Sequence, residues 1–201
     1  MGAVTYKELL SGVAIALTFI ASAPYIYSIL TGETKPHVFS WVIWGSTTFV
    51  VFLAQLQGKG GAGAWPIGVS GVITIFIAML AYVKRGDVTI TKTDWAFLFT
   101  AMSSLPLWYA TSDPLWAVVI LTTVDVLGFG PTFRKAYYQP HSEPLNFYAL
   151  FAIRNLFVIM ALEHYSLTTV LFPAVLGLTC VLIIALLVYR RQAVAAASVG
   201  G

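Results

Sequence analysis

Long apolar segments, separated by short polar stretches, recur along the chain of 201 residues. Glycine, proline and charged residues divide them into seven predicted helices, at about residues 9–30, 38–57, 64–84, 94–111, 115–138, 145–163 and 166–190. Each is close to the roughly 20 apolar residues that a helix needs to cross a bilayer. The pattern predicts an all-α membrane protein with seven transmembrane helices in one domain. The small residues at 193–201 are expected to form a disordered tail.

The composition agrees with this pattern. Hydrophobic residues make up 59% of the chain and charged residues only 9%, against about 25% charged residues in an ordinary soluble domain. So few charges cannot cover a water-exposed globule, and the expected surroundings are therefore a lipid bilayer. The net charge of +3 comes from residues in several loops and not from one basic face, which excludes nucleic acid as a partner.

The basic residues are distributed unequally between the two predicted membrane faces. Lys7 and Lys59 lie on the face that holds the N-terminus. The other face receives eight of the 11 basic residues: Lys35, Lys84, Arg85, Lys92, Arg134, Lys135, Arg190 and Arg191. Because Lys and Arg concentrate in cytoplasmic loops, we expect the N-terminus outside and the C-terminus in the cytoplasm, with the cell membrane as the location. Arg154 belongs to neither face, since it falls near the middle of the sixth segment.

The two halves of the chain align with each other at a shift of 107 residues. The shift pairs Ala23-Pro24 with Gly130-Pro131, Trp41 with Tyr148, Trp65-Pro66 with Phe172-Pro173, and Tyr82 with Tyr189. These matches predict two three-helix repeats, at about 9–84 and 115–190, joined by a linker helix at about 94–111. Because one extra helix stands between them, the repeats are expected to be parallel, with a central site between them.

Two parts of the sequence resemble the SWEET sugar transporters and the wider PQ-loop group. Residues 24–40 follow the outline of a proline, a short polar loop and a serine that opens the next helix, and residues 125–128 resemble an Asp-x-x-Gly stretch. The glutamine that gives the PQ-loop group its name is absent, since Tyr25 and Thr132 follow Pro24 and Pro131. No asparagine occurs in the third and seventh segments, where sugar-carrying members hold substrate. The 3+1+3 layout with the N-terminus outside is also similar to that of these transporters, and through it the resemblance covers essentially the whole chain.

The implied function is transport of a small polar solute, a sugar or sugar-like molecule, by alternating access between two three-helix bundles. The alternative is a proton-coupled or facilitative carrier of a vitamin, an amino acid or a small carboxylate. A third possibility is a seven-helix receptor or scaffold that transports nothing. Both a monomer and a homo-oligomer are compatible with two repeats in one chain.

Polar and aromatic residues on matching faces of the second and sixth segments could line the substrate site. Spacing of i, i+3 and i+7 groups Trp41, Trp44 and Thr48 on one face, and the matching face carries Tyr148, Phe151 and Asn155. Aromatic rings could stack on a flat or sugar-like ligand, with Thr48 and Asn155 setting its orientation. Alternatively, Trp41 and Tyr148 belong to an interfacial belt. Ser70 and Thr74 are weaker pocket residues, because such hydroxyls often bond their own helix.

Asp125 and Arg154 are the two charged residues in the middle of predicted spans, where a charge is costly unless it is paired or hydrated. They could form an ion pair that locks two helices together. Alternatively, Asp125 could take up and release a proton during transport, or Arg154 could hold an anionic group of the substrate.

Two prolines that the shift pairs, Pro24 and Pro131, fall within the first and fifth segments. Each removes a backbone donor and loosens its helix, so both are predicted hinges. A static kink is the alternative. An enzyme is not expected: His37 and His141 fall on the opposite membrane face from His164, so they cannot share a zinc ion. We predict no metal and no other cofactor.

Overall fold

The computed structural model describes residues 5–84, 86, 88–141 and 143–199, and its regular elements are helices. They are α1 Tyr6–Leu30, α2 Val38–Gln57, α3 Trp65–Val83, α4 Lys92–Thr111, α5 Leu115–Gly128, α6 Gly130–Tyr138, α7 Leu145–Ala161 and α8 Leu167–Val199. A short 3₁₀ helix, Gly61–Ala64, precedes α3. Arg85 and residues 200 and 201 of the predicted tail lie outside the described residues.

The helices follow the seven apolar segments, which confirms the all-helical class. Five spans are long and apolar enough to cross a membrane: α1, α2, α3 with its 3₁₀ helix, α5 with α6, and α8. α7 is apolar but has only 17 residues, and α4 is more polar. Many large apolar side chains face outward, as expected against lipid, among them Phe19, Ile20, Val72, Met79, Phe99 and Leu178. The seven-span count stays a prediction.

Two boundaries differ from those expected. The fifth segment is divided at Phe129 into α5 and α6, because Pro131, two residues later, cannot donate a backbone hydrogen bond. The eighth helix continues to Val199, through the segment for which disorder was expected. Alanines are frequent at 193–197, and alanine is the strongest helix former, which explains the extension.

Side-chain caps fix the starts of α1 and α4. The Glu8 backbone N–H donates to the Thr5 hydroxyl (3.3 Å), while the Thr5 N–H donates to the Glu8 carboxylate (2.6 Å). Thr91 and Asp94 repeat this reciprocal arrangement before α4. Each capping box satisfies backbone N–H groups that the first helical turn leaves free, so these two boundaries are encoded locally.

Bonds between helix ends define two faces of the bundle. At the N-terminal face, where α1 starts, the Glu163 backbone N–H donates to the Gly60 carbonyl (3.1 Å). At the C-terminal face, where α1 ends, the Lys84 ammonium donates to the Leu30 carbonyl (3.3 Å). Which face is cytoplasmic stays a prediction.

The helices form two triplets with the same pattern of neighbours. In the first triplet, α3 contacts both α1 and α2; in the second, α8 contacts both α7 and the α5–α6 span. The linker helix α4 packs on α5 and α2. Glycine allows α2 and α3 to approach closely, since a Cβ at Gly45 of α2 would lie 2.6 Å from Ile75 Cγ1 of α3. The matching neighbours agree with two repeats, and the duplication itself stays a prediction.

The buried apolar residues form three clusters. The first cluster, which we call the shared core, is built from both triplets and α4. Most of its members lie in the half of the bundle nearer the N-terminal face. They include Ala14, Val51, Phe52, Ile67, Ala101, Val118, Leu121, Val158 and Phe172. The other two each belong to one triplet and lie nearer the C-terminal face. One contains Ile29, Ile73 and Ile77, and the other Ala136, Tyr148, Cys180, Ile183 and Leu187.

The α2–α3 contact makes Gly45 sensitive to substitution. Gly45→Ala should lower the free energy of unfolding by about 1–3 kcal/mol, because the new methyl group overpacks against Ile75. Gly12→Ala in α1 is the matched control, since a Cβ there meets nothing within 4 Å and alanine is the better helix former. Thermal unfolding in detergent measures both. Equal stability of the two variants would contradict the close approach of α2 and α3.

Candidate functional site

A buried guanidinium connects three helices between the triplets. Arg154 of α7 is only 2% exposed. Its Nε donates to the Thr18 hydroxyl of α1 (3.1 Å), and its Nη2 donates to the Pro66 carbonyl in the first turn of α3 (2.6 Å). Its Nη1 donates to the Oδ1 of its neighbour Asn155 (3.0 Å). The first triplet and α7 therefore meet at this side chain, in the half of the bundle nearer the N-terminal face.

The buried carboxylate lies at a different contact between the triplets. Asp125 of α5 is 5% exposed and accepts a hydrogen bond from the Thr47 hydroxyl of α2 (3.2 Å). One turn along α5, Gly128 leaves space for Trp44, whose Nε1 would lie 2.9 Å from a Cβ at this glycine. Asp125 therefore faces α2, whereas Arg154 faces α1 and α3.

The interpretation of Asp125 and Arg154 as an ion-pair lock is corrected by these contacts. Within the part of the chain that the structure describes, the two side chains form no ion pair, and each has neutral hydrogen-bond partners. The reason is geometric: both residues lie deep in the bundle, but they project toward different helices. Their depth could be inferred from the sequence, and their direction around the helix axes could not.

Trp41 and Tyr148, which begin the two predicted substrate-binding faces, are packed inside their own triplets. Trp41 stacks on Tyr25 of α1, with ring centroids 5.0 Å apart. Tyr148 is 5% exposed and donates from its hydroxyl to the Glu143 carboxylate (2.5 Å). Among the described residues, no aromatic ring of one set contacts a ring of the other. Both residues thus stabilise a single triplet in this structure.

Trp44, Thr48 and Asn155, which lie deeper in the bundle, are nearer the contact between the triplets. Trp44 reaches α5 at Gly128, and Thr48 beside it is buried. Asn155 is 1% exposed; its Nδ2 donates to the Phe151 carbonyl (2.9 Å), and its Oδ1 faces Arg154. Asn155 therefore orients the guanidinium.

The predicted pocket hydroxyl of Thr74 bonds within its own helix. Thr74 donates to the Ser70 carbonyl of its own helix (2.8 Å), which is the structural role that such hydroxyls often take.

The two predicted hinge prolines differ in their surroundings. Pro24 lies inside an uninterrupted α1, whereas Pro131 stands at the start of α6, directly after the interruption. Glycine precedes Pro131 and alanine precedes Pro24, so the second position has the more flexible backbone. The prolines that the shift pairs are therefore not structurally equivalent.

A backbone contact at the N-terminal face was not foreseen. The Glu163 carboxylate accepts from the Ala62 N–H (3.0 Å), beside the bond from the Glu163 N–H to Gly60. Gly61 has φ +58°, and a Cβ on it would lie 2.0 Å from Glu163 Cδ, so only glycine fits. We call residues 60–62 with Glu163 the glycine latch. The four glycines within residues 58–63 were its signal in the sequence.

Other bonds at the N-terminal face also join the triplets. Gln55, fully buried at the end of α2, donates from Nε2 to the Thr169 carbonyl of α8 (2.8 Å). The Lys7 ammonium of α1 donates to the Leu162 carbonyl at the end of α7.

Two shallow cavities open at the opposite, C-terminal face, around α6 and the α6–α7 connection. Neither is lined by a predicted substrate-binding residue.

Comparisons of the chain with protein-family models, with curated proteins and with solved structures return no match. The resemblance to the SWEET and PQ-loop group therefore stays a prediction. What the structure establishes is a helical protein in which buried Asp125 and Arg154 each bond across the contact between its two triplets.

The separation of the two charges can be tested by a double-mutant cycle of Asp125→Asn and Arg154→Gln. Because the residues share no partner, their effects on the free energy of unfolding should add to within about 0.5 kcal/mol. Denaturant unfolding of the two single variants and the double variant measures this coupling. A buried ion pair would instead give a coupling of several kcal/mol, and that result would restore the lock.

Proposed function

We propose that this protein is a membrane transporter that moves a small polar solute by alternating access between its two helix triplets. The observation that carries this proposal is the uneven distribution of contacts between the triplets. They share a core and several hydrogen bonds in the half nearer the N-terminal face, and each has a core of its own nearer the C-terminal face.

The polar bonds near the C-terminal face support the same interpretation. In the second triplet, the Lys135 ammonium pairs with the Glu143 carboxylate (2.8 Å), and Arg191 donates to the Glu143 carbonyl (2.8 Å). In the first triplet, Lys84 donates to Leu30. These bonds stay within one triplet, so the halves at this face can separate without breaking them. Rocking about the shared core would then open the middle of the bundle to this face.

The solute is expected to be small and polar. The side chains between the triplets include Thr18, Thr47, Asp125, Arg154 and Asn155, which offer hydrogen-bond donors and acceptors to a solute that cannot cross lipid unaided. A sugar or sugar-like molecule is the first choice, because the 3+1+3 layout predicted from the sequence resembles that of SWEET transporters. Connections this short leave little surface for an external ligand or a cytoplasmic partner, so a receptor or scaffold is less favoured.

Locking the N-terminal face should stop transport. A Cβ at Gly58 would lie 3.2 Å from Thr168 Cγ2 of α8. Because the Sγ of a cysteine can occupy the position of that γ carbon, cysteines at the two positions should be close enough for a disulfide. In a Cys180→Ala background, oxidation of Gly58→Cys with Thr168→Cys should reduce flux at least tenfold, and a reductant should restore it. Uptake of labelled glucose, nicotinamide and glutamate into proteoliposomes provides the measurement.

The control pair links two helices of the same triplet. A Cβ at Gly71 would lie 3.4 Å from Phe49 Cβ, so Phe49→Cys with Gly71→Cys joins α3 to α2. Its oxidation should leave flux unchanged, because the triplet moves as a unit. Undiminished flux through the protein cross-linked at Gly58 and Thr168 would contradict rocking, and absence of saturable uptake of every solute would contradict transport.

A second candidate function, proton-coupled transport, is favoured by the environment of Asp125. This carboxyl is buried, and its hydrogen-bond partner is the neutral hydroxyl of Thr47. A carboxyl group inside the membrane without a cationic partner is typical of proton relays. Its place between α5 and α2 would let it exchange a proton as the two triplets separate.

Asp125→Asn separates the two functions. If transport is coupled to protons, an imposed pH gradient should drive accumulation in the wild type, and the variant should only equilibrate the solute, since Asn cannot carry a proton. Time courses in proteoliposomes with and without the gradient measure this difference. Thr47→Val, which keeps the carboxyl, is the control and should retain accumulation. Gradient-driven accumulation by Asp125→Asn would exclude the coupling role.

A further inference from the structure

We infer that Arg154 binds the carboxylate of an anionic solute between the triplets, an inference that rests on the proposed transport function. The first observation is the absence of a counter-ion. Arg154 is 2% exposed, and its partners are a hydroxyl, an amide oxygen and a backbone carbonyl, all of them neutral. Among the described residues, Arg154 forms no ion pair with an acidic side chain. A buried charge without a counter-ion is strongly destabilising, and a bound anion would remove that cost.

The second observation is unused hydrogen-bonding capacity. A guanidinium has five N–H donors, and in the described part of the chain three of those of Arg154 have acceptors, one each on Nε, Nη1 and Nη2. Two donors therefore remain, one on each Nη nitrogen. A carboxylate has two oxygens and forms bidentate pairs with guanidinium groups. A chloride ion is a single atom and cannot form such a bidentate pair.

The third observation is the position of the bonds that Arg154 makes. The partners on α1 and α3, Thr18 and the Pro66 carbonyl, belong to the first triplet, while Arg154 belongs to the second. When the triplets separate at this level, both bonds break and the guanidinium loses two of its three acceptors. A carboxylate that enters at that moment replaces them. Solute binding thereby stabilises the open state of the bundle.

The contacts around Arg154 fix its guanidinium. The Asn155 Oδ1 accepts from Nη1, and the Asn155 Nδ2 donates to the Phe151 backbone carbonyl. Gly177 of α8 packs against Asn155, because a Cβ on this glycine would lie 3.3 Å from the Asn155 Cβ. A guanidinium held in one orientation favours a carboxylate, and the proposed function gives the solute a small, flat or sugar-like body. A uronic acid would satisfy both this inference and the preference for sugar-like solutes.

The test uses matched solutes that differ in the carboxylate. Thermal unfolding of the purified full chain in detergent is followed with glucuronate against glucose, and with nicotinate against nicotinamide. Sodium chloride at the same ionic strength serves as the inorganic anion. We expect at least one carboxylate to stabilise the wild type, with an apparent affinity about tenfold or more above that of its neutral partner.

Two substitutions assign this effect to Arg154. Arg154→Lys keeps the charge but loses the two-donor fork, so the preference for the carboxylate should fall at least tenfold. Asn155→Asp places a fixed carboxylate beside Nη1 and gives up the bond from Nδ2 to the Phe151 carbonyl, so the response of the protein to added carboxylates should disappear. Arg134→Lys, at an exposed position of α6, is the control and should behave as the wild type.

The inference is overturned if no carboxylate is preferred over its neutral partner, if chloride acts equally well, or if Asn155→Asp responds as the wild type does. Uptake into proteoliposomes separates this failure from failure of the proposed function. Saturable uptake of neutral solutes without a carboxylate preference would retain transport and remove the anion site. Binding that depends on Arg154, without uptake of any solute, would retain the site and remove transport.

Discussion

A charge placed in an apolar interior must be solvated by the protein, and in this chain that requirement concentrates on Arg154. Its three hydrogen bonds reach α1, α3 and its own helix α7, so one side chain joins helices that are distant in sequence. Removing any of these acceptors leaves a guanidinium donor unpaired where water is scarce. The relative position of the first triplet and α7 therefore depends on satisfying this group. The Glu163 carboxylate of the glycine latch and the Gln55 amide add further bonds on the same side of the bundle.

The strength of these contacts is compatible with motion. A neutral hydrogen bond contributes about 0.5–1.5 kcal/mol net and one to a charged group about 1.5–3 kcal/mol, and the bonds between the triplets at the N-terminal face include both kinds. If water or a solute replaces most of these bonds when the triplets part, the two conformations differ by only a few kcal/mol. Toward the C-terminal face, the two separate cores each keep their apolar residues buried when the triplets part. The asymmetry along the bundle axis thus closes one face firmly and leaves the other free to open.

The apolar periodicity predicted the positions of the helices well, because spanning segments are long and their ends carry glycine, proline or capping residues. Thr5 and Thr91 are examples of such local signals. Directions around the helix axes were not predictable, and for that reason Asp125 and Arg154 could be assigned a common depth but not their separate partners. The glycine latch was missed for a related reason: Gly61 is required by the approach of Glu163, a residue about a hundred positions away.

The two triplets also differ in what they contribute to their contact. Both buried charges, Asp125 and Arg154, belong to the second triplet, and the first supplies neutral groups such as the hydroxyls of Thr47 and Thr18. When the triplets part, those hydroxyls can bond to water or to their own helix, as Thr18 already does with the Ala14 carbonyl (2.8 Å). The charges need a stronger substitute, because their desolvation costs more than that of a hydroxyl. A solute between the triplets would therefore be held mainly by the second, with the first acting as its cover.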